Sequence, residues 1–289
     1  MLATFHNLKI PIAPGKTEGP AQVIQFMGII LDSNAMEARL PDDKVNRIRE
    51  SLLSFQNKKA TTLKELQSLI GTLNFACKVI PPGRTFLQRM IHLLRGAKKP
   101  HHHIKLTKQF QKDVSMWLEF INSWNGASFF LNSNWESSDV LSLYTDASGG
   151  IGYGGVFGNA WFQGNWSPSQ KLDSPDMSIA WQELFALTAA CAVWGKYLSC
   201  KRVLFFCDNL SVVDIVNSRR SKIPRIMDLL HYFTLTTLKH NIMFRAKHIE
   251  GKKNDLADSL SRFQMERFFQ LAPWANREPE TVPAILSSI

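Results

Sequence analysis

The sequence predicts an α/β protein: a mixed five-stranded sheet with helices on its faces, preceded by a β-hairpin and a small helical unit. Three observations carry that prediction. Short apolar runs at 141–145, 152–157 and 160–166 are joined by Gly-rich turns, the pattern of an antiparallel meander. Two strand-plus-helix alternations follow, which add two strands and cover the sheet. Upstream, between residues 41 and 125, the apolar spacing is helical instead.

A chain of 289 residues, 45% hydrophobic and 20% charged, can bury cores for about two domains. Its net charge of +10 favours a polyanionic partner such as nucleic acid. The bias is uneven. Residues 1–140 hold 18 Lys/Arg against 11 Asp/Glu, a net of +7, and residues 141–289 hold 16 against 13, a net of +3. Cys77, Cys191, Cys200 and Cys207 lack the C-x-x-C spacing of a zinc site, and three of them sit in apolar runs, as reduced core thiols do. The N-terminus shows no basic-then-apolar leader, and the longest apolar run, Leu184 to Trp194, is too short to span a bilayer. A soluble intracellular chain, cytoplasmic or nuclear and without a membrane partner, is expected.

Taken in order, residues 1–40 hold a Pro-, Gly- and Lys-rich loop from Lys9 to Gly19, then a hairpin. Its strands are Val23–Leu31 and Met36–Leu40, with a turn at Asp32-Ser-Asn-Ala. A hairpin with no earlier strand to pair with reads as the end of a sheet, so a fragment of a longer protein is expected. From Pro41 the stripe Val45, Ile48, Leu52 and Phe55 marks a helix, with Asp42 and Asp43 in the first turn, where the helix dipole favours acids. Thr62-Leu-Lys-Glu65 is a capping box opening a second helix, striped by Leu63, Leu66, Ile70, Leu73 and Cys77 and stopped by Pro81-Pro-Gly83. A third helix runs from about Thr85 to Leu94, with Arg84, Arg89, Arg95, Lys98 and Lys99 in or beside it. A fourth runs from Thr107, its N-cap, to Ile121, with Phe110, Val114, Trp117, Leu118 and Ile121 inward. His101-His102-His103 cannot all face one ion from a regular element, so phosphate contact or plain exposure is expected there.

Ser123 to Ser138 reads as a linker. After the meander come a helix from Ser178 to Leu198, strand Arg202–Cys207 and helices Asn209–Asn217 and Pro224–Lys239. Strand Asn241–Ala246 and helix Asn254–Phe263 complete the domain, and the tail beyond Phe268, with scattered Pro, is expected to be poorly ordered. The partition is 1–40, 41–125, 139–265 and 266–289.

Four acids stand where acids are costly. Asp146 follows the first strand of the meander directly, and a buried bare carboxylate costs several kcal/mol or more. Glu183 sits in Ala180-Trp-Gln-Glu-Leu-Phe-Ala-Leu, a helix apolar almost all round, with no Lys or Arg within one turn. Asp208 ends strand Arg202–Cys207, either as an N-cap for the next helix or at the carboxyl edge where α/β sheets place their chemistry. Asp258 shares a helix face with Asn254. Brought together by one sheet, these oxygens suit two Mg²⁺ or Mn²⁺ ions, whose chemistry is phosphodiester hydrolysis. His248, at the end of the last strand, is placed to assist proton transfer or product release.

The motifs Thr145-Asp146-Ala-Ser, Trp181-Gln-Glu183-Leu, Cys207-Asp208-Asn and His248-x9-Asp258 resemble the ribonuclease H domain of retroelement polyproteins. Upstream, Phe26-Met-Gly-Ile-Ile-Leu-Asp32, Leu63 to Gly71 and Pro81-Pro-Gly-Arg-Thr-Phe86 resemble the palm end and the thumb or connection segment of a reverse transcriptase. The details are most similar to DIRS-type, tyrosine-recombinase retrotransposons, and the likeness runs to about Phe263. It implies a ribonuclease H-like fold, two Mg²⁺ on Asp146, Glu183, Asp208 and Asp258, and cleavage of the RNA strand of an RNA–DNA hybrid. Ser148, Asn209, Asn254, Arg84 and Arg89 would contact the nucleic acid, and an upstream polymerase segment of the parent polyprotein would be a partner. The chain departs from the pattern at Ile179 and Ala180, where relatives often carry Asn or Gln, and it lacks the polymerase motif Tyr-x-Asp-Asp. Two other readings stay open: a domesticated remnant that binds nucleic acid without cutting it, and a DNA-cutting relative of the integrase or resolvase kind.

Overall fold

The computed structural model describes residues 2–13, 15, 18–124, 127–129, 131–171 and 177–288. The chain divides into two compact units, Met1–Pro81 with Leu93–Phe130 and Pro82–His92 with Leu131–Ile289. Residues 82–92 lie inside the stretch expected to form one helical unit, yet they group with the second. The reason is packing. Phe86 is fully buried and stacks on His231 at 4.5 Å, and Arg89 pairs with Asp228 at 2.8 Å.

The first unit opens with a short helix, α1 (Leu2–Asn7), that the sequence pattern does not announce. Of the loop expected over 9–19, residues 14, 16 and 17 lie outside the described ones. The strand expected over 23–31 is in fact two, β1 (Val23–Phe26) and β2 (Ile29–Asp32), paired antiparallel. Met27 and Gly28 between them both have positive φ, 49° and 77°, the backbone of a two-residue hairpin turn. β3 (Glu37–Arg39) pairs with β2. α2 (Asp42–Phe55) buries the stripe Val45, Ile48, Leu52 and Phe55. β4 (Ala60–Thr62) leads into α3 (Leu63–Ala76), whose capping box is formed both ways between Thr62 and Glu65. The third expected helix is a 3₁₀ segment, Pro81–Leu87, followed by a short α4 (Gln88–Leu93), because consecutive prolines at its start withhold two backbone donors. β5 (His103–Lys105) pairs with β4, so His103 lies on a two-stranded ribbon while His101 and His102 precede the strand. Thr107 Oγ1 caps α5 (Lys108–Trp124) by accepting the Phe110 N–H at 3.1 Å. β6 (Ala127–Phe129) returns to pair with β3; residues 125, 126 and 130 of the expected linker lie outside the described ones.

The second unit carries the site. β7 (Glu136–Ser137) and α6 (Ser138–Leu141) fill the stretch read as the linker's end and a strand's start. Ser142, at φ 49°, turns the chain into β8 (Leu143–Ser148). β9 (Gly152–Phe157) and β10 (Ala160–Asn165) complete the meander in the order β10-β9-β8. α7 (Ile179–Trp194) is buried along nearly its whole length and stops four residues short of the expected Leu198. β11 (Arg202–Cys207) has the expected bounds, followed by α8 (Leu210–Ser218), α9 (Pro224–Lys239) and β12 (Met243–His248). β12 starts two residues later than expected and runs through His248. α10 (Asp255–Ser261) and α11 (Met265–Leu271) follow.

The expected continuous five-stranded sheet is instead two three-stranded sheets, β10-β9-β8 and β12-β11-β7. β8 lies beside β11 without a ladder. The groups of β11 that could pair with β8 are already engaged: β7 pairs with Val203 and Leu204, and Ser138 Oγ accepts the Phe206 N–H at 2.9 Å. Trp181, Phe185 and Trp194 of α7 pack with Tyr153, Phe162 and Trp166, while Phe233 of α9 meets Phe205 and Phe244 at 6.2 and 4.7 Å. Each such side chain contributes on the order of 2–3 kcal/mol of burial. The tail beyond Phe268, expected to be poorly ordered, packs on β10 instead. Trp161 Nε1 donates to the Asn276 carbonyl at 2.6 Å, the Glu280 N–H donates to the Trp161 carbonyl at 2.7 Å, and Leu286 is fully buried. Its apolar residues find an open sheet edge that composition does not reveal. Among the described residues no helix is long and apolar enough to cross a membrane.

Candidate metal-binding active site

Asp146, Glu183, Asp208 and Asp258 all line one cavity of about 410 Å³, together with Ala147, Ile179, Asn209, Leu210, His248 and Arg262. Each acid comes from a different element. Asp146 is in β8 rather than beyond it, opposite Gly154 of β9. The turn starts only after Ser148, because Ala147 and Ser148 still pair with β9. Asp146 is 6% exposed. Ser261 Oγ donates to its Oδ2 at 2.5 Å, and Asn254 Nδ2 reaches its Oδ1 at 3.5 Å and the Thr145 carbonyl at 2.9 Å. Burial, with Asp208 and Asp258 nearby, raises its pKa to about 6, against the opposing hydrogen bond from Ser261.

Glu183 projects from the second turn of α7, whose start is capped by Ser178 Oγ accepting the Trp181 N–H at 3.3 Å. It is 5% exposed. Burial first, then the charges of Asp146 and Asp208, push its pKa well above the carboxylate range; the Ala147 N–H is the one group opposing this. Among the described residues no Lys or Arg pairs with it.

Asp208 is free of the capping role that was its simpler explanation. The N-cap of α8 is Asn209, whose Oδ1 accepts the Ser211 and Val212 N–H groups at 3.0 and 3.3 Å. Asn209, expected to touch nucleic acid, lines the cavity while serving as that cap. His248 is exposed at the end of β12, level with Cys207 of β11 in the parallel register.

Asp258 differs from the other three. Arg262 Nε donates to its Oδ1 at 2.7 Å and Arg267 Nη1 to its Oδ2 at 3.0 Å, so both oxygens already face guanidinium groups. Asp258, with Asp146 behind it, holds the Arg262 pKa above its ordinary value.

The other expected nucleic-acid contacts fall into two groups. Ser148 and Asn254 are buried, at 8% and 3% exposure, and Asn254 bonds to Asp146 and the Thr145 carbonyl. Trp166 Nε1 donates to the Ser148 carbonyl at 2.8 Å. Arg84 is exposed, and Arg89 bonds to Asp228. Sequence reasoning missed Ser261, Arg262 and Arg267, which touch the acids, and Gln182, whose amide ties the Gly149 and Gln170 carbonyls at 3.1 and 2.8 Å and braces the turn after β8. The signal was faint: Ser261 and Arg262 stand three and four residues after Asp258, one helical turn on. Cys207 was also passed over. One ligand atom each from Glu183, Cys207 and Asp208 lies within 4.8 Å of the other two.

A cluster of oxygen donors with buried, like-charged carboxylates requires protons or a cation, and hard divalent ions suit it chemically. Asp146, Glu183 and Asp208 fit that requirement directly. Asp258 fits it once its guanidinium partners yield.

No protein-family model matches the chain. In sequence it is 31% identical over 98 residues to the Gag-Pro-Pol polyprotein of human T-cell leukemia virus 3 (strain 2026ND). The likeness is to a retroviral polyprotein. It covers 34% of this chain and 6% of that much longer relative. Two solved structures of a foamy viral protease-reverse transcriptase, one a dRH form in complex with ds DNA and one in complex with dsDNA, are each 15% identical to the chain. Each covers 78% of it, and the chain covers 38% and 45% of those structures, with TM-scores of 0.29 and 0.30. Superpositions this shallow establish neither a shared fold nor a shared activity.

Proposed function

We propose that the chain is a retroelement-derived, ribonuclease H-type endonuclease that uses Mg²⁺ or Mn²⁺ to cleave the RNA strand of RNA–DNA hybrids. The finer likeness to DIRS-type retrotransposons belongs to the same proposal. The observation that carries it is the convergence of four carboxylates from β8, α7, the end of β11 and α10 on one cavity. Glu183 carries most of that weight, because a carboxylate buried in an apolar helix without a cation is stable only if something else neutralises it. Two divalent ions bound there would activate a water and stabilise the leaving oxygen. Asp146, Glu183 and Asp208 would supply the oxygens that hold them, with Ser261 and Asn254 fixing the Asp146 carboxylate. His248, exposed at the rim, is free to carry a proton to or from the product. A net charge of +10 favours a polyanionic substrate.

One observation favours the binding-only alternative: both Asp258 oxygens are engaged by arginine. A single assay separates the two. The chain is incubated with a labelled RNA–DNA hybrid and Mg²⁺ or Mn²⁺, beside Asp146→Asn and a duplex-DNA control. Losing several kcal/mol of metal-mediated stabilisation predicts a rate loss of roughly 10³-fold in the variant. Equal inertness of wild type and variant, with hybrid still bound, would establish the binding module instead. Cleavage of duplex DNA in preference to hybrid would favour the integrase-like reading.

A further inference from the structure

We infer that Cys207 makes the acidic cavity a site for thiophilic divalent ions such as Zn²⁺, held by the Cys207 sulfur with the Glu183 and Asp208 carboxylates. Such an ion would compete with the hard ion used for chemistry, so the inference deepens the metal-dependent reading above and rests on it. Among the described residues, no other three His, Cys, Asp or Glu side chains bring their ligand atoms this close together. Zn–S and Zn–O bonds of about 2.3 and 2.0–2.2 Å place tetrahedral donors roughly 3.4–3.6 Å apart, inside the 4.8 Å that bounds the three ligand atoms here. Small side-chain rotations would close the remainder.

The strand sets the thiol's direction. Val203, Phe205 and Cys207 share the buried face of β11, and a slip of one residue would turn the sulfur away. Glu183 reaches the same place from α7. The Asn209 N–H donates to Cys207 Sγ at 3.4 Å, but burial and the Glu183 and Asp208 carboxylates hold the thiol protonated, so the arriving ion itself must displace the proton. Asn209 is itself held as the N-cap of α8, so this donor is fixed in place. An all-oxygen set would take Mg²⁺, Mn²⁺ and Ca²⁺ alike, whereas adding one thiolate selects for Zn²⁺ and Cd²⁺. Binding forms one sulfur–metal bond and releases the thiol proton to solvent. No electron is transferred.

The test uses the full chain carrying Cys200→Ser, which removes the exposed thiol, with Co²⁺ and Cd²⁺ as probes. A sulfur-to-metal charge-transfer band should appear and saturate at one ion per chain. It should vanish when Cys207→Ser is added and persist when Cys191→Ser is added. Asp208→Asn keeps the thiol and should raise the ion concentration at half-saturation roughly tenfold or more. That variant keeps the test decisive if Cys207→Ser does not fold. Calorimetry with Mn²⁺ runs in parallel. Mn²⁺ binding without a charge-transfer band overturns the thiol site alone; absence of both overturns the metal reading as well. A band that survives Cys207→Ser, or a midpoint unmoved by Asp208→Asn, also overturns the inference.

Discussion

Asp146 shows how one side chain can be read in both stability and chemistry. Its pKa is 3.8 in an exposed reference and about 6 when folded, so between those values the folded chain holds more of the proton than the unfolded one. Stability contributed by the protonated form is therefore present below about pH 4 and lost as pH rises past 6. The loss is about 3 kcal/mol for a shift of roughly two units. Denaturant titrations of wild type and Asp146→Asn at pH 4 and pH 7 isolate this contribution by difference, since Glu183 shifts in the same direction while carboxylates such as Glu65 run the opposite way. Glu65, bonded to Thr61, the Thr62 backbone and Lys58, sits at about 2 and so stabilises toward neutral pH. The difference between wild type and variant should shrink with Mg²⁺ at pH 7, since a bound cation replaces the missing proton. A difference that is flat across pH would mean that Asp146 is better solvated than its surroundings suggest.

At the scale of elements, the site depends on how closely α10 lies against the meander. A Cβ added at Gly154 would stand 2.4 Å from Leu260 Cβ and 2.9 Å from the Ser261 nitrogen. Gly154 is also the register partner of Asp146, so this one missing side chain lets Ser261 reach the Asp146 carboxylate. Gly154→Ala is expected to cost about 1–3 kcal/mol of stability through overpacking and to reduce Mn²⁺ affinity, read by thermal melts and calorimetry. The helix pair α10–α11 makes the opposite kind of control. Arg267 bridges Asp255 at 2.8 Å and Asp258 at 3.0 Å, and Arg262 closes the other Asp258 oxygen. Arg262→Gln removes a competitor for Asp258, so Mn²⁺ should bind roughly twofold to fivefold more tightly. Weaker binding would show that the guanidinium orients Asp258 for the ion instead of competing with it.

For the whole molecule, charge distribution sets the expected partner. Between Glu65 and Asp113 the chain carries nine Lys/Arg and no Asp/Glu. A basic stretch of this kind binds phosphates by releasing counterions. Affinity for a hybrid, measured by fluorescence anisotropy, should therefore fall with a log–log salt slope of magnitude about 4 or more. Neutralising Arg95, Lys98, Lys99 and Lys105 together should flatten that slope while leaving Mn²⁺ binding at the acidic cavity unchanged. A slope that stays as steep would locate the contacts elsewhere on the chain.

The sequence by itself determined the periodic elements. The α2 stripe, the capping box at Thr62, the bounds of β11 and the identity of the four acids were all legible, because each depends on residues a few positions apart. The tertiary structure decided what depends on distant groups. It broke the first hairpin at Met27-Gly28, split the expected sheet by letting β7 and Ser138 occupy the edge of β11, and folded the Pro-rich tail onto β10. It also separated the four acids into three that, among the described residues, no arginine or lysine pairs with and one held by two arginines. No local pattern encodes that difference. The energy of a buried carboxylate depends on which charges folding brings beside it, and those charges come from strands and helices far apart in the chain.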